Sequence, residues 1–258
     1  MPRLEPESER RGRAVLELRA LSKSFGGLLA VSRVALQIFP GDRKAIIGPN
    51  GAGKTTLFNL ITGLLRASSG EVLLFGRDVT RWPPEKRTAL GMARTFQVTS
   101  LFPGLSVFDN ALLAVQGKRP MKYVMWRPLL SYGEVCGKAR FLLARAGFED
   151  RREVLVRNLS HGEQRQLEIV LALAGDPRLL LLDEPTAGLS SGESQEMAEF
   201  LRGLDRELAV LLIEHDMDIV FDVADHISVL HFGEILEAGP CDEIRKSERV
   251  RAIYFGNA

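Results

Sequence analysis

A chain of 258 residues, of which 45% are hydrophobic, is long enough to bury a substantial core and fits one α/β domain with an inserted subdomain. Its formal net charge of +1 gives no reason to expect nucleic acid as the main partner, because there is no overall basic field. The two cysteines, Cys136 and Cys241, lie far apart, so they indicate neither a disulfide framework nor a zinc site and fit a reducing compartment.

The start of the chain predicts neither a targeting signal nor a membrane anchor. Residues 1–13 mix glutamate with arginine, and we expect a disordered lead-in followed by one domain over 14–258. The next apolar segment contains Glu17 and Arg19, where a signal peptide needs an unbroken apolar core. No apolar run approaches the roughly 18 residues that a membrane-spanning helix requires. We therefore expect a cytoplasmic chain that reaches a membrane only through a partner.

Residues 15–39 contain short segments of alternating apolar and polar side chains, which predict an antiparallel β layer. The segment 70–76 could add a strand to this layer. Phe25 lies in its first turn, about thirty residues before Lys54, where the ring could stack on a purine. A phenylalanine packed in the core explains the same spacing equally well.

A complete G-x-x-x-x-G-K-[ST] motif follows, between the apolar run 43–47 and the helical pattern 56–64. Its glycines let successive backbone N–H groups point toward one spot, and the next helix adds its positive end. Lys54 supplies a charge for the β- and γ-phosphates, and the Thr55 hydroxyl can bind Mg²⁺. We predict nucleotide binding by this phosphate loop, which consists of Gly48, Pro49, Asn50, Gly51, Ala52, Gly53, Lys54, Thr55 and Thr56.

The pattern changes to helices after Gln97. Segments 107–115 and 137–146 have apolar residues three and four positions apart, and we expect an inserted helical subdomain over 98–159. The stretch 117–132 between them is an irregular surface connection in the simplest interpretation, and an interaction surface is the open alternative.

Two apolar strands later in the chain end in ionisable residues. Residues 179–182 are four leucines followed by Asp183 and Glu184, which predicts a buried parallel strand with carboxylates at its ligand-binding end. Asp183 could hold Mg²⁺ while Glu184 orients or deprotonates a water molecule, although two acids after a strand are often only a solvated strand end. The run 209–213 ends near His215, which could contact a γ-phosphate or be a hydrogen-bonded core residue. A hairpin and a short terminal helix complete the chain.

These motifs occur in the order and spacing of the ATP-binding subunits of ABC transporters, which the chain resembles from residue 15 to residue 256. The most specific of them is the Leu-Ser-x-Gly-x-Gln sequence of residues 159–164, the signature segment. The resemblance implies a RecA-like P-loop NTPase core with an antiparallel β subdomain and an inserted helical subdomain. It implies a cytoplasmic ATPase that uses ATP and Mg²⁺.

The resemblance also assigns roles to individual residues. It implies that Phe25 stacks on adenine, that Gln97 senses metal and water, and that His215 contacts the γ-phosphate. Catalysis would involve Glu184, His215, Gln97 and Lys54, and the metal ligands would be Thr55, Gln97 and Asp183. Ser160 and Gly162 would face the ATP that the opposite subunit holds, so that function requires a dimer. Ser190 departs from the family pattern, in which aspartate is usual at this position.

Within this superfamily the chain looks most like the larger ATPase of the importers of branched-chain, hydrophobic amino acids. Its partners would be a second ATPase subunit, two transmembrane permeases and, indirectly, a periplasmic or extracellular substrate-binding protein, with the chain on the inner face of the membrane. Urea and short-amide importers and the lipopolysaccharide-export ATPase share much of the pattern. A non-transport ABC ATPase fits less well, because this chain has no room for coiled coils, zinc modules or tandem ATPase units. A small-molecule kinase is disfavoured by the signature segment.

Overall fold

The computed structural model describes residues 13–95, 101–117 and 133–255, which divide into two units. The first unit contains the chain as far as Met92, residues 178–182, and everything from Asp205 onward. The second contains residues 93–177 and 183–204. Apart from Arg13, the predicted lead-in lies outside the described residues.

The elements follow one another in this order. The strands are β1 (Leu16–Phe25), β2 (Leu28–Ile38), β3 (Arg43–Ile47), β4 (Ser69–Leu74), β5 (Arg77–Asp78), β6 (Met92–Arg94), β7 (Leu179–Asp183), β8 (Ala209–Ile213), β9 (His226–His231) and β10 (Glu234–Pro240). The helices are α1 (Lys54–Thr62), α2 (Pro84–Ala89), α3 (Val107–Gly117), α4 (Gly133–Arg145), α5 (His161–Ala172), α6 (Ser191–Arg202), α7 (Met217–Val223), α8 (Cys241–Lys246) and α9 (Glu248–Phe255).

Four of the strands form an antiparallel sheet in the order β2-β1-β4-β5. In β1 Leu16 and Leu18 are buried and Arg19 is exposed, as the alternation of a half-buried strand requires. A register shift after Leu18 then brings Leu21 into the core. A tight turn at Gly26 and Gly27, both with positive φ, joins β1 to β2. The predicted antiparallel layer is confirmed, including the strand expected at 70–76.

The second sheet has the order β10-β9-β3-β8-β7-β6. In it β3 is parallel to both β8 and β9, and β10 closes one edge as an antiparallel hairpin with β9. Every residue of β7 and β8 is buried, and all of them except Asp183 at the end of β7 are apolar, as expected for strands covered on both faces. The predicted strands at 43–47, 179–182 and 209–213 are confirmed, and so is the α/β class.

Each unit has its own apolar core. The core of the first unit takes side chains from both sheets and from α1, among them Phe58. The core of the second lies among α3, α4 and α5 and includes Phe108, Leu143 and Leu167. In the part of the chain that the structure covers, no helix is long and apolar enough to cross a bilayer.

Arg87 of α2 is a buried cation that sequence reasoning did not identify. It is 1% exposed, and its guanidinium donates hydrogen bonds to four carbonyl oxygens, of Leu60, Ile61, Thr80 and Trp82, at 2.7–3.1 Å. The first two belong to the last turn of α1, which carries partial negative charge, and the Leu60 carbonyl also accepts the N–H of Gly63. Burial lowers the pKa of Arg87 to about 10, so the side chain is still charged at neutral pH. Arg87 thereby ties the end of α1 to the segment 80–87.

We expect Arg87→Ala to lower the free energy of unfolding of the first unit by about 3 kcal/mol, because buried carbonyl groups lose the hydrogen bonds that Arg87 donates. The exposed Arg81 offers a matched control, and Arg81→Ala is expected to cost no more than about 0.5 kcal/mol. Urea unfolding of the two variants and the parent checks this. Equal losses for both variants would contradict the capping role.

Candidate functional site

The phosphate loop connects β3 to α1 in the first unit, and its backbone runs too close to neighbouring segments for side chains at two positions. A Cβ atom on Gly48 would lie 2.1 Å from the carbonyl oxygen of Leu230, and one on Gly53 would lie 2.3 Å from that of Ala30. Both glycines also have positive φ. The loop is therefore held against β9 and β2 in one conformation.

Lys54 lies inside this loop. It is buried, and its ammonium donates hydrogen bonds to the carbonyl oxygens of Gly48 at 2.6 Å and Pro49 at 3.1 Å. None of the described side chains caps the N-terminus of α1, and its first turn has no acidic residue. The loop therefore presents a positive helix end and a positioned ammonium, while Asn50 and Thr55 are exposed. This geometry suits a polyphosphate.

Phe25 ends β1 and is 45% exposed, so it is not the packed core phenylalanine of the alternative interpretation. The ammonium of Lys23 lies 5.0 Å from the centre of its ring and donates a hydrogen bond to the carbonyl oxygen of Arg66. An open aromatic face beside a cation is suited to stacking on a base.

His215 follows β8 in the first unit and has an exposed side chain, so it is not a core histidine. Its backbone N–H donates to the carboxylate of the fully buried Glu214 at 3.1 Å, and its Nδ1 lies 3.8 Å from the same oxygen. Asp216 then caps α7 by accepting from the N–H groups of Asp218 and Ile219. These contacts fix the backbone on both sides of His215.

In the second unit Asp183 forms a buried ion pair with Arg94 at the ends of β7 and β6. The guanidinium donates to Oδ2 of Asp183 at 2.8 Å, and both side chains are less than a tenth exposed. The other oxygen, Oδ1, is buried and accepts no hydrogen bond from any described residue. Asp183 is thus no solvated strand end, and a buried carboxylate oxygen without a donor fits a role in holding Mg²⁺.

The described residues contain no cluster of three or more histidine, cysteine or acidic side chains able to hold a metal. Gln97, the third predicted metal ligand, lies outside the described residues.

Glu184 comes directly after this ion pair and has an unusual backbone. Its φ is 48°, a left-handed conformation that costs a residue other than glycine about 1–3 kcal/mol. Ala187 donates its N–H to the Glu184 carbonyl oxygen at 3.1 Å, which closes a turn around Pro185. The turn fixes the direction in which the half-buried Glu184 leaves the strand.

The signature segment opens α5 with reciprocal capping. The Ser160 hydroxyl accepts from the Glu163 N–H at 3.2 Å, and the Glu163 carboxylate accepts from the Ser160 N–H at 2.8 Å. Gly162 donates its backbone N–H to Oε1 of Glu193 in α6, at 3.1 Å.

Glu193 is a residue that sequence reasoning missed. Its Oε2 accepts from the N–H of Ser190 at 3.1 Å and from the Ser190 hydroxyl at 2.8 Å, in a second capping box. These bonds and the one from Gly162 lower the pKa of Glu193 to about 2. The S-x-x-E pattern of residues 190–193 predicts a helix start, but nothing in it points to Gly162.

We expect a double-mutant cycle to reveal strong coupling between Arg94 and Asp183. Each single change, Arg94→Ala or Asp183→Ala, removes one member of a buried ion pair and is expected to cost about 3–5 kcal/mol of unfolding free energy. The double variant should cost at least about 1 kcal/mol less than the sum of the two, measured by urea unfolding.

The exposed pair of Arg152 and Glu149, 2.8 Å apart in the same unit, provides the control. Its coupling energy should stay below about 1 kcal/mol. Additive costs for Arg94 and Asp183 would contradict the inferred coupling.

Comparison with known proteins places these features in one family. The family model described as ABC transporter matches residues 31–187. The high-affinity branched-chain amino acid transport ATP-binding protein LivG of Escherichia coli strain K12 is 36% identical over 253 residues, which cover 95% of this chain and 98% of that protein.

Two solved structures have the same fold. The ADP conformation of MJ1267, an ATP-binding cassette of an ABC transporter, matches with a TM-score of 0.83 at 30% identity and covers 95% of this chain and 100% of that one. The cassette MJ0796 was solved as a dimer in a post-hydrolysis state with ADP and Pi. It matches with a TM-score of 0.71 at 25% identity, and the match covers 88% of this chain and 98% of that one. With the family model matched over more than half of its length and a relative aligned over nearly all of it, this chain belongs to the ABC transporter family as an ATP-binding cassette and is an ATPase.

Proposed function

We propose that this chain powers the import of branched-chain, hydrophobic amino acids by hydrolysing ATP in complex with two transmembrane permease subunits. The observation that carries the proposal is the phosphate loop, whose buried Lys54 is held by two loop carbonyls in a chain 36% identical to LivG. The name of that relative supports the amino-acid cargo. The exposed ring of Phe25, the uncapped start of α1 and the fixed glycines support ATP as the nucleotide.

Each residue of the first unit has a separate task in this proposal. Lys54 and the N–H groups of the loop bind the β- and γ-phosphates, and Phe25 stacks on the adenine. His215 contacts the γ-phosphate, and its exposed ring and fixed backbone support this assignment. All three interactions position ATP without covalent chemistry, which is the main requirement of phosphoryl transfer.

In the second unit Glu184 orients or deprotonates the attacking water, and the fixed direction of its backbone supports that role. We assign Asp183 and Gln97 to Mg²⁺ binding, and Thr55 of the phosphate loop keeps the metal-ligand role that the family resemblance implies. The ion, when bound, neutralises charge on the phosphate oxygens. The unsatisfied Oδ1 of Asp183 supports the assignment.

The chain acts in a nucleotide-sandwich dimer, in which Ser160 and Gly162 face the ATP held by a second ATPase subunit, either a copy of this chain or a paralogue. The backbone N–H groups at the start of α5 support this proposal, because a γ-phosphate is favoured at a helix N-terminus. The dimeric structure of MJ0796 is a precedent for the assembly in the family. ATP would close the dimer and hydrolysis would open it, which moves the permeases between two orientations.

The permeases would hold the chain at the inner face of the membrane and receive cargo from a periplasmic or extracellular substrate-binding protein. We propose a cavity of about 320 Å³ in the second unit as the docking site of a permease segment. The exposed Phe102 lines it, and the buried Asn110 fixes its rim through bonds to the N–H and carbonyl groups of Phe102. Phe108, on the neighbouring helix α3, is buried in the helical core and is not available to a partner.

The lining of this cavity supports a particular chemistry for the docking segment. Glu168 lines it, and its Oε2 accepts a hydrogen bond from Arg165 at 3.0 Å. Its buried Oε1 accepts none from the residues that the structure describes. A docking segment that combines apolar side chains with one donor, such as a lysine or a hydroxyl group, would satisfy both the cavity wall and this oxygen.

We expect Phe102→Asp to reduce the recovery of permease subunits bound to this chain by about tenfold or more, because the aromatic ring that the permease would cover is lost and a charge is added. Phe141→Asp is the matched control, since Phe141 is also an exposed phenylalanine of the second unit, 59% against 55%, and does not line the cavity. Co-purification from solubilised membranes measures the effect. Equal recovery with both variants would contradict the docking site.

Uptake of labelled leucine and labelled urea by cells lacking this chain tests the proposed function directly. Leucine uptake should fall in these cells and return with the wild-type chain, but stay at the deleted level with Lys54→Ala, because the loop loses its phosphate-binding charge. A Lys54→Ala protein with an unchanged unfolding midpoint shows that the loss is not one of folding. A response of urea alone would favour the amide importers, and normal uptake of both in the deleted cells would contradict amino-acid import.

A further inference from the structure

The start of α5 already holds a negative charge supplied by its own chain. Oε1 of Glu193 accepts the Gly162 N–H at 3.1 Å, and Oε2 of the same side chain accepts two hydrogen bonds from Ser190. One carboxylate therefore joins the N-termini of two helices. The absence of a side chain at Gly162 permits this approach, because a Cβ there would lie only 3.1 Å from Cβ, Cγ and Oε1 of Glu193.

The charge of this side chain persists at all physiological pH values. The donors around Glu193 hold the pKa of its carboxyl near 2, with Ser190 as the main cause and the Gly162 N–H after it. A carboxylate at a helix N-terminus is stabilised by the same unpaired N–H groups and helix dipole that stabilise a phosphate. Glu193 thus resembles, in charge and in its bond to Gly162, the ligand that the signature segment receives.

A conflict follows for the Gly162 N–H. In the sandwich dimer of the proposed function, on which this inference rests, that group faces the γ-phosphate of the opposite ATP. A single N–H group cannot donate a strong bond to both acceptors, and the two anions repel one another at such a distance. Glu193 and the incoming phosphate therefore compete for one position.

We propose that Glu193 occupies the γ-phosphate position at the start of α5 in the ATP-free subunit and must leave Gly162 when the subunits close on ATP. Glu193 is then a positioning residue that sets the ATP concentration at which the dimer forms. Its departure would also disturb the bonds to Ser190, at the end of the turn that begins at Glu184. The binding of ATP at the start of α5 would in this way change the hydrogen bonds of the segment that begins with Glu184, the residue assigned to hydrolysis.

The test compares Glu193→Gln with its parent in a Glu184→Gln background, which slows hydrolysis so that closed dimers accumulate. Glutamine keeps the size of the side chain and can still cap α6, but it removes the charge from Gly162. Glu196→Gln is the control. Glu196 is an exposed acid of the same helix, and its replacement by glutamine changes the net charge by the same amount. Sedimentation velocity of the ATPase pair, either two copies of this chain or this chain with its partner ATPase, gives the ATP concentration for half-maximal association.

We expect Glu193→Gln to lower that concentration by about three- to tenfold and Glu196→Gln to leave it unchanged, because only the first removes an anion from the helix N-terminus. Binding of a fluorescent ATP analogue to the isolated subunit should be the same in all forms, since the phosphate loop is untouched. An unchanged or higher ATP requirement with Glu193→Gln overturns this inference alone. If the Glu184→Gln parent itself does not associate with ATP, the sandwich of the proposed function fails and the inference fails with it.

Discussion

Every α-helix begins with N–H groups that have no partner inside the helix. In this chain some helix starts have a side chain that accepts from these groups, and the start of α1 has none among the described residues. The start of α1 carries neither a capping side chain nor an acid, so its positive end is available to a ligand. The starts of α5 and α6 are each closed by a serine and a glutamate, and they share the carboxylate of Glu193. The start of α1 has no anionic side chain, so it can bind an anionic ligand directly. The start of α5 already binds a carboxylate, which a stronger anion can replace.

Buried charge imposes a second constraint, and the chain meets it by pairing or by dense hydrogen bonding. Arg87 is surrounded by carbonyl oxygens, and Asp183 faces Arg94. One oxygen of Asp183 and one of Glu168 are left without donors among the described residues. A buried oxygen without a hydrogen-bond donor costs free energy, so both oxygens mark places where a donor or a cation is needed.

Local patterns explain why much of this arrangement could be predicted. The strand at 43–47, the phosphate loop and the serine cap of α5 each depend on neighbours within a few residues, and the structure has all of them. The exposure of Phe25 and the burial of Phe108 depend on which segments pack nearby, and spacing gives no information about that. Contacts between distant segments, such as Glu193 with Gly162 or Arg94 with Asp183, have no signal in a single sequence.

The left-handed backbone of Glu184 has a consequence for how this chain can change. Glycine adopts that conformation without strain and asparagine tolerates it better than glutamate does, so either substitution relieves a local cost of the folded state. Selection for thermal stability alone would then favour replacing the carboxylate that we assign to hydrolysis. Stability and turnover oppose each other at this position, and a heat-resistant descendant with glycine at residue 184 would be expected to bind nucleotide without consuming it.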